Sequence, residues 1–351
     1  MVEDCLRRIG GLDIEVPQVL GGESCKGYRN KGQFPVSCDG IGIYAAKSHR
    51  VIDVDRCIIQ DETNPEVLAC VRKWMKKYNI EAYCEETDTG VIRHIYTRNG
   101  CGGLMVCIVT RTVELPHSEE LVKSLRDVLG GKISGIIQNV NKVKTNVVLG
   151  RIFKTLWGDD FLIDNIGEYN FKISPLSFYQ VNNAQTVVLY NKAMEFAKLT
   201  GKETLWDMYC GIGTIGQYMS KGAARIIGVE IVEDAVRNAR ENARLNGIEN
   251  AQYFCGAAED IAPKLLEKGF KPDVVVLDPP RKGCDAKLLE TVAGVKPDRI
   301  VYVSCKPSTL ARDLKILESY GYTTEKVQPV DLFPKTSHCE VVCALQRQAS
   351  Q

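Results

Sequence analysis

Cys305 closes the apolar run Ile300-Val301-Tyr302-Val303-Ser304 and is followed by Lys306 and Pro307. Proline suits the first helical position, so the pattern predicts a strand that ends at a thiol just before a helix starts. In an α/β fold that is the carboxyl edge of the sheet, where ligands bind. The helix N-terminus and Lys306 are both expected to favour thiolate over thiol, and only the thiolate is a useful nucleophile. A second candidate lies in Asp331-Leu332-Phe333-Pro334-Lys335-Thr336-Ser337-His338-Cys339-Glu340. Glu340 heads an apolar strand, where a carboxylate is costly unless it is partnered or serves as a base. His338 is the rival base, although an exposed loop histidine is more often solvated. Together these residues suggest covalent nucleophilic catalysis with a nearby proton acceptor.

Two more segments belong to the same edge. Asp207-Met208-Tyr209-Cys210-Gly211-Ile212-Gly213-Thr214-Ile215-Gly216 follows a predicted strand and contains G-x-G-x-x-G. Its glycines let the backbone approach a ligand and turn into a helix, and Glu230 ends the next strand where ribose hydroxyls would be held. Those features fit NAD as well as S-adenosylmethionine. Asp207 before the loop, suited to a cationic methionine group, favours the latter. So does Asp278-Pro279-Pro280-Arg281-Lys282-Gly283, a carboxylate followed by a stiff loop at the active edge. Arg281 stands where enzymes that methylate base amines usually carry an aromatic, and the nearest cysteine in this loop is Cys284. Neither amine nor cytosine methylation therefore fits well. Methylation of a pyrimidine at C5 needs an activated cysteine, a base and a site for an extruded nucleobase, and Cys305 meets the first need.

These segments must be positioned by a fold. From about residue 171 apolar strands alternate with helices: Thr204–Tyr209, Arg225–Glu230, Ala251–Gly256, Asp273–Asp278 and Arg299–Cys305, with helices such as Glu233–Asn246 and Ala286–Ala293. This predicts a parallel sheet covered on both sides. Thr323–Val330 and His338–Gln346 are expected to pair antiparallel, the class I (Rossmann-like) methyltransferase arrangement. Before about residue 160 the pattern is mixed α and β. Helices are expected at Pro65–Tyr78 and Ser118–Leu129, and strands at Val91–Thr97, Leu104–Thr110, Ile133–Asn139 and Asn146–Gly150. Asn99-Gly100-Cys101-Gly102-Gly103 reads as a hairpin turn. The expected division is a smaller α/β domain over 1–160 and a catalytic domain over 161–351, with the first about 20 residues candidates to pack on the latter.

Composition narrows the class without naming a partner. The chain of 351 residues has a net charge of +1, 44% hydrophobic and 25% charged residues, ordinary for a soluble globular protein. Local basic clusters at Lys26–Lys31, Lys47–Arg50, Arg72–Lys77 and Lys142–Lys144 read individually as solvated surface. The 14 cysteines are scattered, which suits a reducing cytosol, and no signal peptide or membrane span is evident. A cytoplasmic monomer is expected.

Taken together, Phe178-Tyr179-Gln180-Val181-Asn182, Asp207–Gly213, Asp278-Pro279-Pro280-Arg281, Ser304–Asp313 and Asp331–Glu340 resemble the RNA 5-methyluridine methyltransferases, the family of tRNA T-loop and 23S ribosomal RNA uracil-C5 enzymes. The resemblance implies S-adenosylmethionine contacts from Gln180, Tyr209, Glu230 and Asp278, Cys305 as nucleophile and Glu340 as the base for the C5 proton. Tyr28–Gln33 and Asp53–Cys57 also look like family segments, of the domain that helps hold the RNA. Two departures follow. The N-terminal β-barrel of many members is expected to be lacking here, and Cys57 matches only the fourth ligand of an iron–sulfur cluster that normally takes four thiolates. No stable cluster and no metal site are therefore expected. Lys306 replaces an asparagine common after the nucleophile. RNA is the implied partner, ribosomal more than transfer RNA, because the Tyr209 loop and Cys57 resemble the cluster-containing ribosomal branch. The competing readings are a nicotinamide oxidoreductase, resting on Gly211–Gly216, and an RNA-binding protein with impaired catalysis.

Overall fold

Alternating apolar side chains along the central strands decide where the helices go. In the computed structural model, which describes residues 1–348, the chain forms two units. One comprises Ser24–Asn165 with Lys172–Leu176; the other comprises Met1–Glu23, Ile166–Phe171 and the chain from Ser177 on.

In the first unit seven strands lie in the order Val51–Asp53, Gly40–Tyr44, Lys31–Ser37, Ile92–Gly100, Gly103–Thr110, Ile133–Val140 and Ile152–Gly158. Only Gly103–Thr110 and Ile133–Val140 are parallel, and the helix Ser118–Leu129 makes the crossover that such a pair requires. Leu104, Val106 and Ile108 face this helix and Asn64–Tyr78, in a core with Val67, Val71, Trp74, Leu121 and Leu125. Met105, Cys107 and Val109 point the other way, onto Tyr96 and Ile137, with Val148, Leu149 and Phe153 against them. Cys101 sits in the hairpin turn, as expected, with Gly100 paired to Gly103.

Two expectations for this unit need correction. Asn146–Gly150 is not a strand; the last strand is Ile152–Gly158. Its backbone groups are taken instead by side chains, Asn141 Nδ2 donating to the carbonyls of Val147 and Val148, and Asn139 bonding Gly150 at both amide ends. Lys31–Ser37 and Gly40–Tyr44 are strands that pattern did not reveal, because Gly32, Pro35 and Gly42 interrupt the alternation.

The second unit holds the expected parallel sheet. Ala251–Cys255, Arg225–Glu230, Thr204–Met208, Val274–Leu277 and Arg299–Ser304 run parallel; Glu340–Arg347 inserts antiparallel beside Arg299–Ser304, and Tyr322–Val330 forms the edge. Pro329 is tolerated because its strand is an edge. The N-terminal segment belongs to this core: Val2, Leu6 and Leu12 pack with Leu310, Leu314 and Leu317, and Leu20 exchanges backbone hydrogen bonds with Pro329 and Asp331.

One buried carboxylate organises the loop after Val274–Leu277. Asp313, fully buried on the helix Pro307–Ser319, accepts from Cys284 N at 2.8 Å and from the Tyr302 hydroxyl at 2.6 Å. It also pairs with Arg312 at 2.7 Å, whose guanidinium donates to the Lys282 carbonyl at 3.0 Å. Gly283, at φ +81°, is required there: a Cβ would stand 2.5 Å from both the Asp313 carboxylate and the Arg312 guanidinium. Asp313→Ala leaves Tyr302 and Cys284 N unpartnered, so it is expected to cost about 3 kcal/mol in urea unfolding, against about 1 kcal/mol for Tyr302→Phe.

Candidate active site

Sheet register gathers the candidate residues. Met208 pairs with Val229 and Leu277, and Leu277 with Tyr302, so Tyr209, Glu230, Asp278 and Cys305 all fall at the carboxyl ends of parallel strands. Ser304 is opposite Val341 in the antiparallel pair. One step further along that register sets Cys305 opposite Glu340. The closing strand, running the other way, thus delivers its first residue to the same edge.

The glycine-rich loop is held from both sides. Tyr209, Gly211 and Gly213 all have positive φ, at 67°, 56° and 85°. Glu230 Oε2 accepts from Gly211 N at 3.1 Å and Oε1 from Val232 N at 2.9 Å. This fixes the carboxylate while leaving it lone pairs for a diol. The Tyr209 ring is half-buried, and its hydroxyl lies beside Cys284 and is pushed up by burial. Asp207 behaves differently from the sequence expectation. It is fully buried, its Oδ2 accepts from Gly216 N at 2.8 Å, and burial raises it to about 7. A Cβ on residue 216 would stand 2.9 Å from that oxygen. Asp207 Oδ2 therefore shapes the loop from below, while its buried Oδ1 has no hydrogen-bond partner among the described residues.

S-adenosylmethionine fits these residues. Space is open where a Cβ on Gly211 would project, beside a carboxylate already oriented by two backbone N–H groups. Gln180 is buried just before the helix Asn183–Ala197. The helix cap, Asn182, accepts from Gln185 N and donates to the Leu332 carbonyl at 3.1 Å, tying the Gln180 segment to the loop that leads to Glu340.

The electrostatics of the reacting groups overturn one expectation. Cys305 is not poised as a thiolate: its thiol is raised by burial and then by Glu340 and Asp278, opposed by Arg281 and by a backbone hydrogen bond. Two carboxylates and desolvation outweigh the helix N-terminus and the exposed Lys306. Glu340 is 3% exposed and is pushed up to about 8 by burial and by Asp278, again opposed by Arg281. Asp278 is raised to about 7 by desolvation. Tyr190, which bonds Thr214 at 2.8 Å, feels Asp278, Asp207 and Glu340 together. His338 is exposed, with Nε2 3.4 Å from Arg281 Nη2. Sequence reasoning assigned no role to Arg281, although its place after Asp278-Pro279-Pro280 was the available signal. It gave no signal for Tyr190, a helical residue that reads as core.

The known proteins that match this chain now have a place. Residues 152–348 match the model of the tRNA (uracil-5-)-methyltransferase family, a span that contains all six candidate residues. A Clostridium tetani protein described as an uncharacterized RNA methyltransferase is 50% identical over 347 residues, covering 97% of this chain and 75% of the relative. The chain belongs to the tRNA (uracil-5-)-methyltransferase family. A second RNA methyltransferase, from Halalkalibacterium halodurans, is 47% identical over 352 residues, with 98% and 77% coverage. Among solved structures, the Pyrococcus abyssi tRNA (uracil-54, C5)-methyltransferase in complex with S-adenosyl-L-homocysteine superposes with a TM-score of 0.82 at 30% identity, covering 98% of this chain and 81% of that one. This chain is accordingly an S-adenosylmethionine-dependent RNA methyltransferase with a Rossmann-like catalytic fold. The nicotinamide reading falls with that assignment. Cys57 is half-buried near the Arg29 guanidinium, and among the described residues no group of three or more His, Cys, Asp or Glu side chains could hold a metal. No helix of the described residues is long and apolar enough to cross a membrane.

Burial of Glu340 has a measurable consequence. Its folded value of about 8 lies above the ordinary 4.5, so ionisation favours the unfolded chain and stability falls between pH 4.5 and 8. Glu340→Gln removes that loss: its melting temperature should match wild type near pH 5 and exceed it at pH 9. Parallel melting curves would refute the burial of this carboxyl.

Proposed function

We propose that this protein makes 5-methyluridine in RNA, with Cys305 as nucleophile, Glu340 as the base that removes the C5 proton, and Gln180, Tyr209, Glu230 and Asp278 as the cofactor-holding residues. The observation that carries this reading is the register that sets a thiol opposite a buried carboxyl with a raised pKa. When bound, S-adenosylmethionine supplies the methyl group that C5 takes. Cys305 adds to C6 of an extruded uracil, pushing the C5=C6 electrons toward the C4 carbonyl so that C5 becomes nucleophilic. After methylation C5 still bears its proton. Glu340 accepts it, the electron pair re-forms C5=C6, and the Cys305 sulfur leaves. Arg281 favours the ionised forms of both groups.

We assign the substrate as 23S ribosomal RNA, on the Tyr209 loop and the Cys57 match to the ribosomal branch. A tRNA T-loop uridine is the second reading, favoured by the likeness to the Pyrococcus tRNA enzyme. Incubation with labelled S-adenosylmethionine and unmodified bacterial RNA, then nucleoside analysis, should place label in 5-methyluridine. Sizing the labelled RNA separates ribosomal from transfer RNA. Label in another nucleoside sinks the reading.

The two roles are separable. Cys305→Ala should abolish product and any covalent complex. Glu340→Gln should trap a denaturation-resistant protein–RNA adduct that carries the new methyl group, because the sulfur leaves only after the proton does. The pH profile follows from the direction of the shifts: activity rises with pH through about pH 8 as Glu340 ionises, and goes on rising beyond the ordinary thiol range as Cys305 ionises. Arg281→Gln should move that limb to higher pH; an unmoved limb would remove Arg281 from this role.

A further inference from the structure

From Val128 to Gly158 the chain carries five cations, Lys132, Lys142, Lys144, Arg151 and Lys154, and no acid. In the middle of this stretch, residues 142–147 are all exposed. They nevertheless form a tightly held loop. Arg93, 4% exposed and stacked 4.6 Å from the Tyr83 ring, donates to the carbonyls of Asn141 and Val143 at 2.8 Å and of Thr145 at 3.4 Å. Asn141 Nδ2 donates to Val147 and Val148, Asn141 Oδ1 accepts from Val143 N, and Asn139 bonds the loop's exit at Gly150. Gly150 must be glycine, since a Cβ would lie 2.1 Å from the Val140 carbonyl. Val148 and Leu149 press into the sheet and complete the anchor.

Three buried polar side chains committed to one surface loop is a large investment in presenting its tip. The tip consists of Lys142 and Lys144 interleaved with Val143 and Val147, which are 62% and 63% exposed, beside Ile152 at 58%. These exposed aliphatics beside two lysines offer apolar surface suited to contact with a nucleobase or ribose. Asp88 lies within electrostatic reach of Lys144, which helps lower its pKa, but is already held by Arg111 at 2.6 Å. Asp88 thus leaves a net positive surround for a phosphate.

We propose that the Lys142–Val147 loop is a preorganised RNA-docking element, with Lys142 and Lys144 on backbone phosphates and Val143 and Val147 against an unstacked base or sugar. This deepens the uridine-methyltransferase reading and rests on RNA being the substrate. Its preorganisation by Arg93, Asn139 and Asn141 spares the ordering entropy that a mobile lysine loop would lose on binding.

The test is binding of the full chain to unmodified ribosomal and transfer RNA transcripts across a salt series, with methylation measured separately at saturating RNA. Lys142→Ala/Lys144→Ala should weaken RNA binding about tenfold near 0.1 M salt and reduce the slope of log K against log salt by about 1.4, for two single-strand phosphates. Melting temperature, S-adenosylmethionine affinity and the rate at saturating RNA should stay at wild-type values. Val143→Ser/Val147→Ser should weaken binding severalfold with the salt slope unchanged. Unchanged affinity and slope in the lysine variant, or a wild-type chain without salt-sensitive RNA affinity, would overturn the proposal. Unchanged affinity in the valine variant would overturn the apolar contact. A wild-type chain that binds RNA but forms no 5-methyluridine would instead defeat the uridine-C5 reading, and the binding comparison would still decide the loop.

Discussion

Crowding of negative charge at one sheet edge is the constraint that the catalytic unit is built around. Asp207, Glu230, Asp278 and Glu340 all stand there, and desolvation raises Asp207, Asp278 and Glu340 well above the usual carboxylate range. Each is accommodated differently. Asp207 and Glu230 are held by backbone N–H groups, Glu340 feels Arg281, and Asp278 sits on a loop stiffened by two prolines and anchored through Asp313. On the proposed function, the cationic sulfonium of S-adenosylmethionine would relieve the same crowding. Electrostatic complementarity of this kind explains why an edge so unfavourable in isolation can hold its ligand.

The same field limits the nucleophile. A thiol raised by burial and by two neighbouring carboxyl groups is less often ionised but inherently more nucleophilic when it is.

Much of this was legible in the sequence, for identifiable reasons. Five two-faced apolar strands separated by helical stretches leave few alternatives to a parallel sheet, and helix Ser118–Leu129 was bounded by its own turn signals. Cys305, Asp278 and Glu230 could be placed because each directly follows or ends an apolar strand. Legibility failed where side chains replace backbone partners. Asn146–Gly150 has the composition of a strand, yet Asn139 and Asn141, several residues earlier, capture its backbone. It failed too for the Cys305 thiol, because its charge state depends on Glu340, a residue brought near only by the last strand. Gln180 carries no local signal at all; only the resemblance singled it out.

The antiparallel strand Glu340–Arg347 inserts between Arg299–Ser304 and the edge strand, rather than adding outside both. Synthesis from the N-terminus therefore makes the glycine-rich loop and Cys305 before Glu340 and its strand. Until that strand is made its place beside Arg299–Ser304 is unfilled, and Cys305 lacks Glu340 opposite it. On the proposed mechanism reactivity is thus the last property the growing polypeptide acquires, and a chain terminated before Glu340 would lack the base that completes turnover.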